Sequence, residues 1–127
     1  MKTPVELKYS KTHEWVRFIS ETEAEVGLTD YAQNALGDLV FVNLPEVDAE
    51  AAKEETICDV ESVKAVSDVY APVNGTVSEV NEELLDAPEK INSDPYGAWL
   101  FRLTDVSDCD DLLDADAYAA FCESEEN

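Results

Sequence analysis

Ile57-Cys58-Asp59-Val60-Glu61-Ser62-Val63-Lys64-Ala65-Val66-Ser67-Asp68-Val69-Tyr70-Ala71-Pro72 is the stretch around which the rest of the chain is arranged. Runs rich in β-branched residues flank Lys64, which predicts two short strands meeting at a tight turn with the lysine at its tip. The turn is unusual, because Val63-Lys64-Ala65-Val66 lacks the Asn-Gly or Asp-Gly pair that supplies positive φ in most hairpins of this kind. Something other than turn propensity selected these residues. Asp59, Glu61 and Asp68 lie on the two arms, and Lys64 is the only basic residue between Lys53 and Lys90. An ammonium among carboxylates keeps its charge, which argues against a buried Schiff-base lysine. A projecting lysine that is a target for acylation fits better, although a short motif alone more often marks an ordinary surface lysine.

The pattern on either side is mostly β. Trp15–Ile19 and Ala24–Leu28 read as an N-terminal hairpin. Thr29 is placed to cap a helix of two turns, Asp30 suits the positive end of its dipole and Gly37 suits its C-terminal cap. Leu39–Leu44 is the most continuous apolar run and predicts a buried strand, stopped by Pro45. The acidic segment 46–55 reads as a surface excursion and Pro72–Gly75 as a turn. Thr76–Val80 and Trp99–Leu103 read as strands, with one helical turn over 81–85 and loops at Pro88 and Pro95. An acidic connector over 105–111 precedes a terminal helix capped by Asp114, which gathers Ala115, Tyr118, Ala119 and Cys122 near one face before a frayed tail. The expectation is one domain over residues 1–127, a flattened barrel or sandwich of two antiparallel sheets, with short helices after the first hairpin and at the C-terminus.

Thirty acidic against eight basic residues give a net charge of −22, which repels phosphate backbones and anionic membranes. Neither nucleic acid nor membrane is an expected partner. Proteins with basic rims are. No stretch approaches the roughly 18 apolar residues of a membrane span, and the first residues carry no apolar or amphipathic leader. Three cysteines, Cys58, Cys109 and Cys122, form no Cys-x-x-Cys and leave one unpaired in any disulfide scheme, which favours a reducing compartment. A cytoplasmic monomer is expected, with the mitochondrial matrix an option only if a transit peptide has been removed.

Glu61-Ser62-Val63-Lys64-Ala65-Val66-Ser67-Asp68, with Ala71-Pro72 and Asn74-Gly75 beyond it, resembles the lipoyl-attachment hairpin of the glycine cleavage H-protein family. The likeness extends to Lys8-Tyr9-Ser10-Lys11-Thr12-His13-Glu14-Trp15, Gly27–Gln33, Gly37–Glu46, Val80-Asn81, Ile91-Asn92-Ser93 and Pro95-Tyr96, in family order. The resemblance implies a lipoyl/biotinyl-carrier fold, lipoate attached covalently to Lys64, and Thr12, Glu14, Ser67 and Asp68 around a cleft that shelters the arm. It also implies a carrier that catalyses nothing itself. Such a carrier shuttles the methylamine group of glycine from a pyridoxal-phosphate glycine decarboxylase to a tetrahydrofolate-dependent aminomethyltransferase, and is reoxidised by a flavin (FAD) dihydrolipoyl dehydrogenase. A lipoate ligase or a lipoyl/octanoyl transferase would load the lysine. The loop Tyr96-Gly97-Ala98-Trp99 is shorter than is common in the family, and Cys58-Asp59 replaces smaller or more apolar residues.

Other readings are weaker or share the same residues. A biotinyl domain usually flanks its lysine with methionines, and the only methionine here is Met1. Lipoyl domains of 2-oxo acid dehydrogenases usually place an acidic residue before the lysine and lack His13-Glu14-Trp15. A relay role, donating lipoyl or octanoyl groups to other carriers, uses the same residues. So does an unmodified acidic interaction module. His13, the only histidine, has no nucleophile tied to it by motif and is expected to pack beside Trp15. The aspartates at 105, 108, 110, 111, 114 and 116 lack the central Gly and final Glu of a calcium loop.

Overall fold

A computed structural model describes residues 2–126. Nine strands and four helices alternate as β1 (Lys8–Tyr9), β2 (Glu14–Phe18), β3 (Ala24–Leu28), α1 (Asp30–Leu36), β4 (Leu39–Asn43), β5 (Glu50–Ala51), β6 (Thr56–Ser62), β7 (Val66–Tyr70), β8 (Asn74–Val80), α2 (Glu83–Asp86), α3 (Lys90–Ser93), β9 (Phe101–Ser107) and α4 (Ala115–Glu126). They build two antiparallel sheets, one of six strands in the order β1-β2-β3-β9-β8-β5 and one of three in the order β4-β6-β7. The expected two-sheet architecture stands, but the sheets do not close into a barrel.

Inward-facing Val26, Val42, Val60, Val69, Val77 and Leu103 fill the space between the sheets, and burial of such apolar side chains is the main driving force for the fold. A second core lies under α4, where Leu7, Tyr9, Trp15, Ala115, Tyr118 and Cys122 are buried together. Tyr9 and Tyr118 stack there with ring centroids 4.6 Å apart. Because this second core covers the other face of β2, Glu14, Trp15 and Val16 are all buried in succession. The usual alternation of inside and outside is lost.

Gly27 shows how closely this layer is packed. A Cβ added there would lie 2.5 Å from the indole ring of Trp15, and that ring is fully buried with its Nε1 donating to Pro95 O at 2.9 Å. Since the ring has nowhere to go, Gly27→Ala is expected to cost roughly 1–3 kcal/mol by overpacking. The measurement is a lower denaturation midpoint with an unchanged m-value.

The helix caps follow the sequence. Thr29 Oγ1 accepts from Ala32 N at 3.1 Å, and Gly37 takes φ +82° while its N–H donates to Gln33 O. At the other end of the chain Asp114 Oδ1 accepts from Ala117 N at 2.8 Å.

Several boundaries differ, each for a physical reason. β4 is an edge strand bonded only to β6 and bulged between Leu39 and Phe41, so Val40 and Phe41 stay 53% and 48% exposed. It is not the buried strand its apolar run predicts. The acidic excursion contains β5, whose Ala51 is buried where it pairs with Gly75. Asn74 and Gly75 therefore open β8 instead of making a turn. A Cβ on Gly75 would come within 3.0 Å of Thr104 O, so this close strand approach depends on glycine. β9 begins at Phe101 and runs through Asp105 to Ser107, deep into the expected connector, and α3 occupies the loop expected between the two prolines. α4 continues through the tail expected to fray, with Glu125 held by His13. The cysteines are free thiols, and burial pushes Cys58 up to about 12.

Candidate functional site

β6 and β7 pair from Thr56↔Tyr70 to Glu61↔Val66, which leaves Val63-Lys64-Ala65 as the tip. None of these three residues has a positive φ. Ser62 does the work that Asn-Gly does elsewhere. Its Oγ accepts from Lys64 N and Ala65 N, both at 3.1 Å, while its own N–H donates to Ala65 O at 2.8 Å. Val63 N donates to Asp38 O at 3.0 Å, which ties the tip to the segment leaving α1. A serine two residues before the lysine was the sequence signal for this turn.

Lys64 is exposed, as the hairpin reading predicts. Its expected carboxylate surroundings are different, because among the described residues it forms no ion pair. Its Nζ instead donates to Ala35 O, at 3.2 Å, where the unsatisfied carbonyls of α1 emerge. The stem passes over Gly37, where an added Cβ would lie 2.9 Å from Lys64 Cε.

Ala35 also lines a cleft of about 140 Å³ between α1, the β1–β2 turn and β7. Thr12, Glu14, Ser67 and Asp68 all line it, together with His13, Tyr31, Leu36 and Val60. The structure brings all four sequence-predicted residues to the border of the cleft, but Asp68 follows Ser67 on β7 and so directs its side chain to the outer face of the sheet, opposite Asp59. Their settings differ sharply. Asp68 is exposed at the rim, Thr12 is exposed, and Ser67 is half-buried.

Glu14 is only 1% exposed, a carboxylate held away from solvent. Its Oε1 accepts from Ser10 Oγ at 2.7 Å and from Thr12 Oγ1, and Tyr70 N lies 3.4 Å from Oε2. Burial raises its carboxyl from about 4.5 to about 7, against the opposing pull of these donors. A group so poised is ionised in part at neutral pH and would favour a cation beside it.

His13 shapes the cleft from behind. It takes φ +74°, stacks on Tyr31 at 4.5 Å, and places Nδ1 2.7 Å from Tyr118 Oη and Nε2 3.0 Å from Glu125. Tyr118 Oη is also 2.7 Å from Thr29 Oγ1, the cap of α1. The imidazole thus joins α4 to both walls of the cleft, and its neighbours are Tyr31, Tyr118 and Phe121 in place of the expected Trp15. Ser10, Ser62, Tyr31 and Ala35 are the site residues that sequence reasoning passed over. Two of the connector aspartates, Asp108 and Asp111, are engaged by Lys53.

The model of the glycine cleavage H-protein matches residues 7–125. The chain belongs to that family. A glycine cleavage system H protein of Lachnoclostridium phytofermentans is 59% identical over 125 residues, covering 98% of each chain. A probable H protein of Pyrococcus abyssi is 54% identical over 121 residues, covering 93% of this chain and 90% of the relative. The crystal structure of an H protein from Mycobacterium marinum superposes with a TM-score of 0.82 at 37% identity, covering 98% and 99% of the two chains. The H-protein family therefore supplies the fold, and the hairpin, Lys64 and the cleft lie inside the matched span. No helix among the described residues is long and apolar enough to cross a membrane.

Proposed function

We propose that Lys64 of this H-protein family member carries lipoate in amide linkage and that the chain is a non-catalytic carrier of the glycine cleavage system. In this reading it shuttles the methylamine group of glycine from the pyridoxal-phosphate decarboxylase to the folate-dependent aminomethyltransferase, with reoxidation by the flavin dehydrogenase. The bacterial and archaeal relatives support a cytoplasmic setting.

One observation carries the reading: the exposed lysine at the hairpin tip rests on Ala35, which lines the same cleft as a buried carboxylate, Glu14. The dimensions fit. A lipoyl-lysine arm is on the order of 14 Å by bond counting, whereas Ala35 and Tyr31 are about 6 Å apart along α1 at the usual helical rise. Lipoate supplies a reducible disulfide able to carry a one-carbon amine unit. The chain supplies the rest. Leu28, Leu36 and Val60 give the cleft apolar walls that exclude water, and Glu14 and Ser67 offer acceptors to an ammonium. Ser10 and Thr12 hold the Glu14 carboxylate in place for that contact.

The test is the intact mass of the chain after incubation with lipoate, ATP and a lipoate–protein ligase. A gain of one lipoyl group, mapped to the peptide containing Lys64, is the expected result. An unchanged mass would overturn the carrier reading and favour an unmodified interaction module.

A further inference from the structure

The three-stranded sheet has an outward face that its own chain leaves uncovered. Two rungs cross it, Phe41–Glu61–Val66 and Asn43–Asp59–Asp68, while Val42, Val60 and Val69 point inward. Phe41 and Val66 are about half and two-thirds exposed, and Val63 at the tip is 67% exposed. Three bare apolar side chains thus surround the base of Lys64. Asp59 and Asp68 stand directly opposite each other, an arrangement of like charges that costs a sheet stability. Among the described residues no basic group forms an ion pair with Asp59, Glu61 or Asp68. Asn43 Nδ2 donates to Asp59 Oδ1, which leaves the charge of the carboxylate in place. An apolar strip edged by carboxylates without ion-pair partners is the complement of an apolar seat edged by arginine or lysine.

Resting on the carrier reading above, we infer that this face, around Phe41, Asp59 and Val66, is the docking surface for the enzyme that acylates Lys64. The bare lysine selects that occupant. From Cα to Nζ its side chain spans about 6 Å, so an enzyme that attaches the acyl group must press against the hairpin itself. Enzymes that meet the finished arm have roughly 14 Å of reach and can sit against another rim. The acylating enzyme must also draw Nζ away from Ala35 O, which lies toward the cleft, and an approach across the outward face pulls it in that direction. Contacts of this kind set the KM for the carrier, with salt dependence from the charged edge.

Three variants of the full chain, Phe41→Ser, Asp59→Lys and Glu21→Lys, separate this from a general charge effect. Initial rates of Lys64 acylation by a lipoate–protein ligase with lipoate and ATP are read by intact mass at low and high salt. Phe41→Ser and Asp59→Lys are each expected to lower kcat/KM about tenfold, chiefly through KM. Asp59→Lys is also expected to flatten the salt dependence while the unfolding midpoint holds, because relief of the repulsion with Asp68 offsets loss of the Asn43 hydrogen bond. Glu21→Lys, the same charge change in the β2–β3 turn, should act like the unaltered chain. Rates within twofold of the unaltered chain for both face variants, or an equal loss for Glu21→Lys, would overturn the docking surface while leaving the carrier reading intact. No acylation of the unaltered chain would overturn both together.

Discussion

Lys64→Arg is expected to abolish acylation completely while leaving the fold unchanged. The arginine keeps the positive charge, the length and a donor for Ala35 O, but its guanidinium stays protonated at any working pH and cannot act as the acyl acceptor. The structural cost is small, because the residue is exposed and its side chain makes one hydrogen bond at the surface. The turn is held by Ser62 and by Asp38 O, through backbone groups that the substitution does not touch. A shift in the unfolding midpoint of under about 2 °C is expected, in line with the small effects of surface substitutions. Lys53 and Lys90 will not substitute, since Lys53 is held between Asp108 and Asp111, Lys90 pairs with Glu83, and neither lies on a hairpin tip. Intact mass and circular dichroism on the same sample check both halves. Residual lipoyl mass in the variant would show that another amine is the acceptor.

How much of this was readable in advance depended on the range of the interactions involved. Local chemistry was legible. The Thr29 and Asp114 caps, the Gly37 stop and the β-branched arms of the hairpin each act within a few residues, and each stands where the sequence places it. What depends on distant partners was not. Phe41 and Val40 form an apolar run, but exposure is decided by β4 having a neighbour on one side only. The burial of Glu14 comes from the β1–β2 turn and β7 closing over its carboxylate, with Tyr70 more than fifty positions away. The packing of α4 decides His13, whose partners Tyr118 and Glu125 are over a hundred positions away. Lys64 was legible as a protruding amine but not as one resting on Ala35, since nothing in the hairpin says where α1 ends in space.

The burial of Glu14 makes opposite demands on stability and on carriage, and pH separates them. Its folded-state pKa is raised to about 7 from about 4.5, so the folded chain binds a proton there that the unfolded chain has lost. The contribution to stability is therefore fully present below pH 4.5 and is lost as pH rises through 7, by about 3 kcal/mol in all. Glu14→Gln has no proton to lose. The stability difference between variant and parent should move in favour of the variant by about 3 kcal/mol from pH 4 to pH 8. Measuring that difference against the parent at each pH cancels the self-repulsion of a chain with net charge −22. Carriage should move the other way. A cationic amine in the cleft would stabilise the ionised carboxylate, and the amide offers no charge in return. Lipoylated Glu14→Gln should therefore lose bound methylamine about tenfold faster at pH 8, the worth of roughly one charge-assisted hydrogen bond. Parallel stability–pH curves for the two chains would show that Glu14 does not titrate near neutrality. Equal rates of methylamine loss would show that its charge does not face the amine.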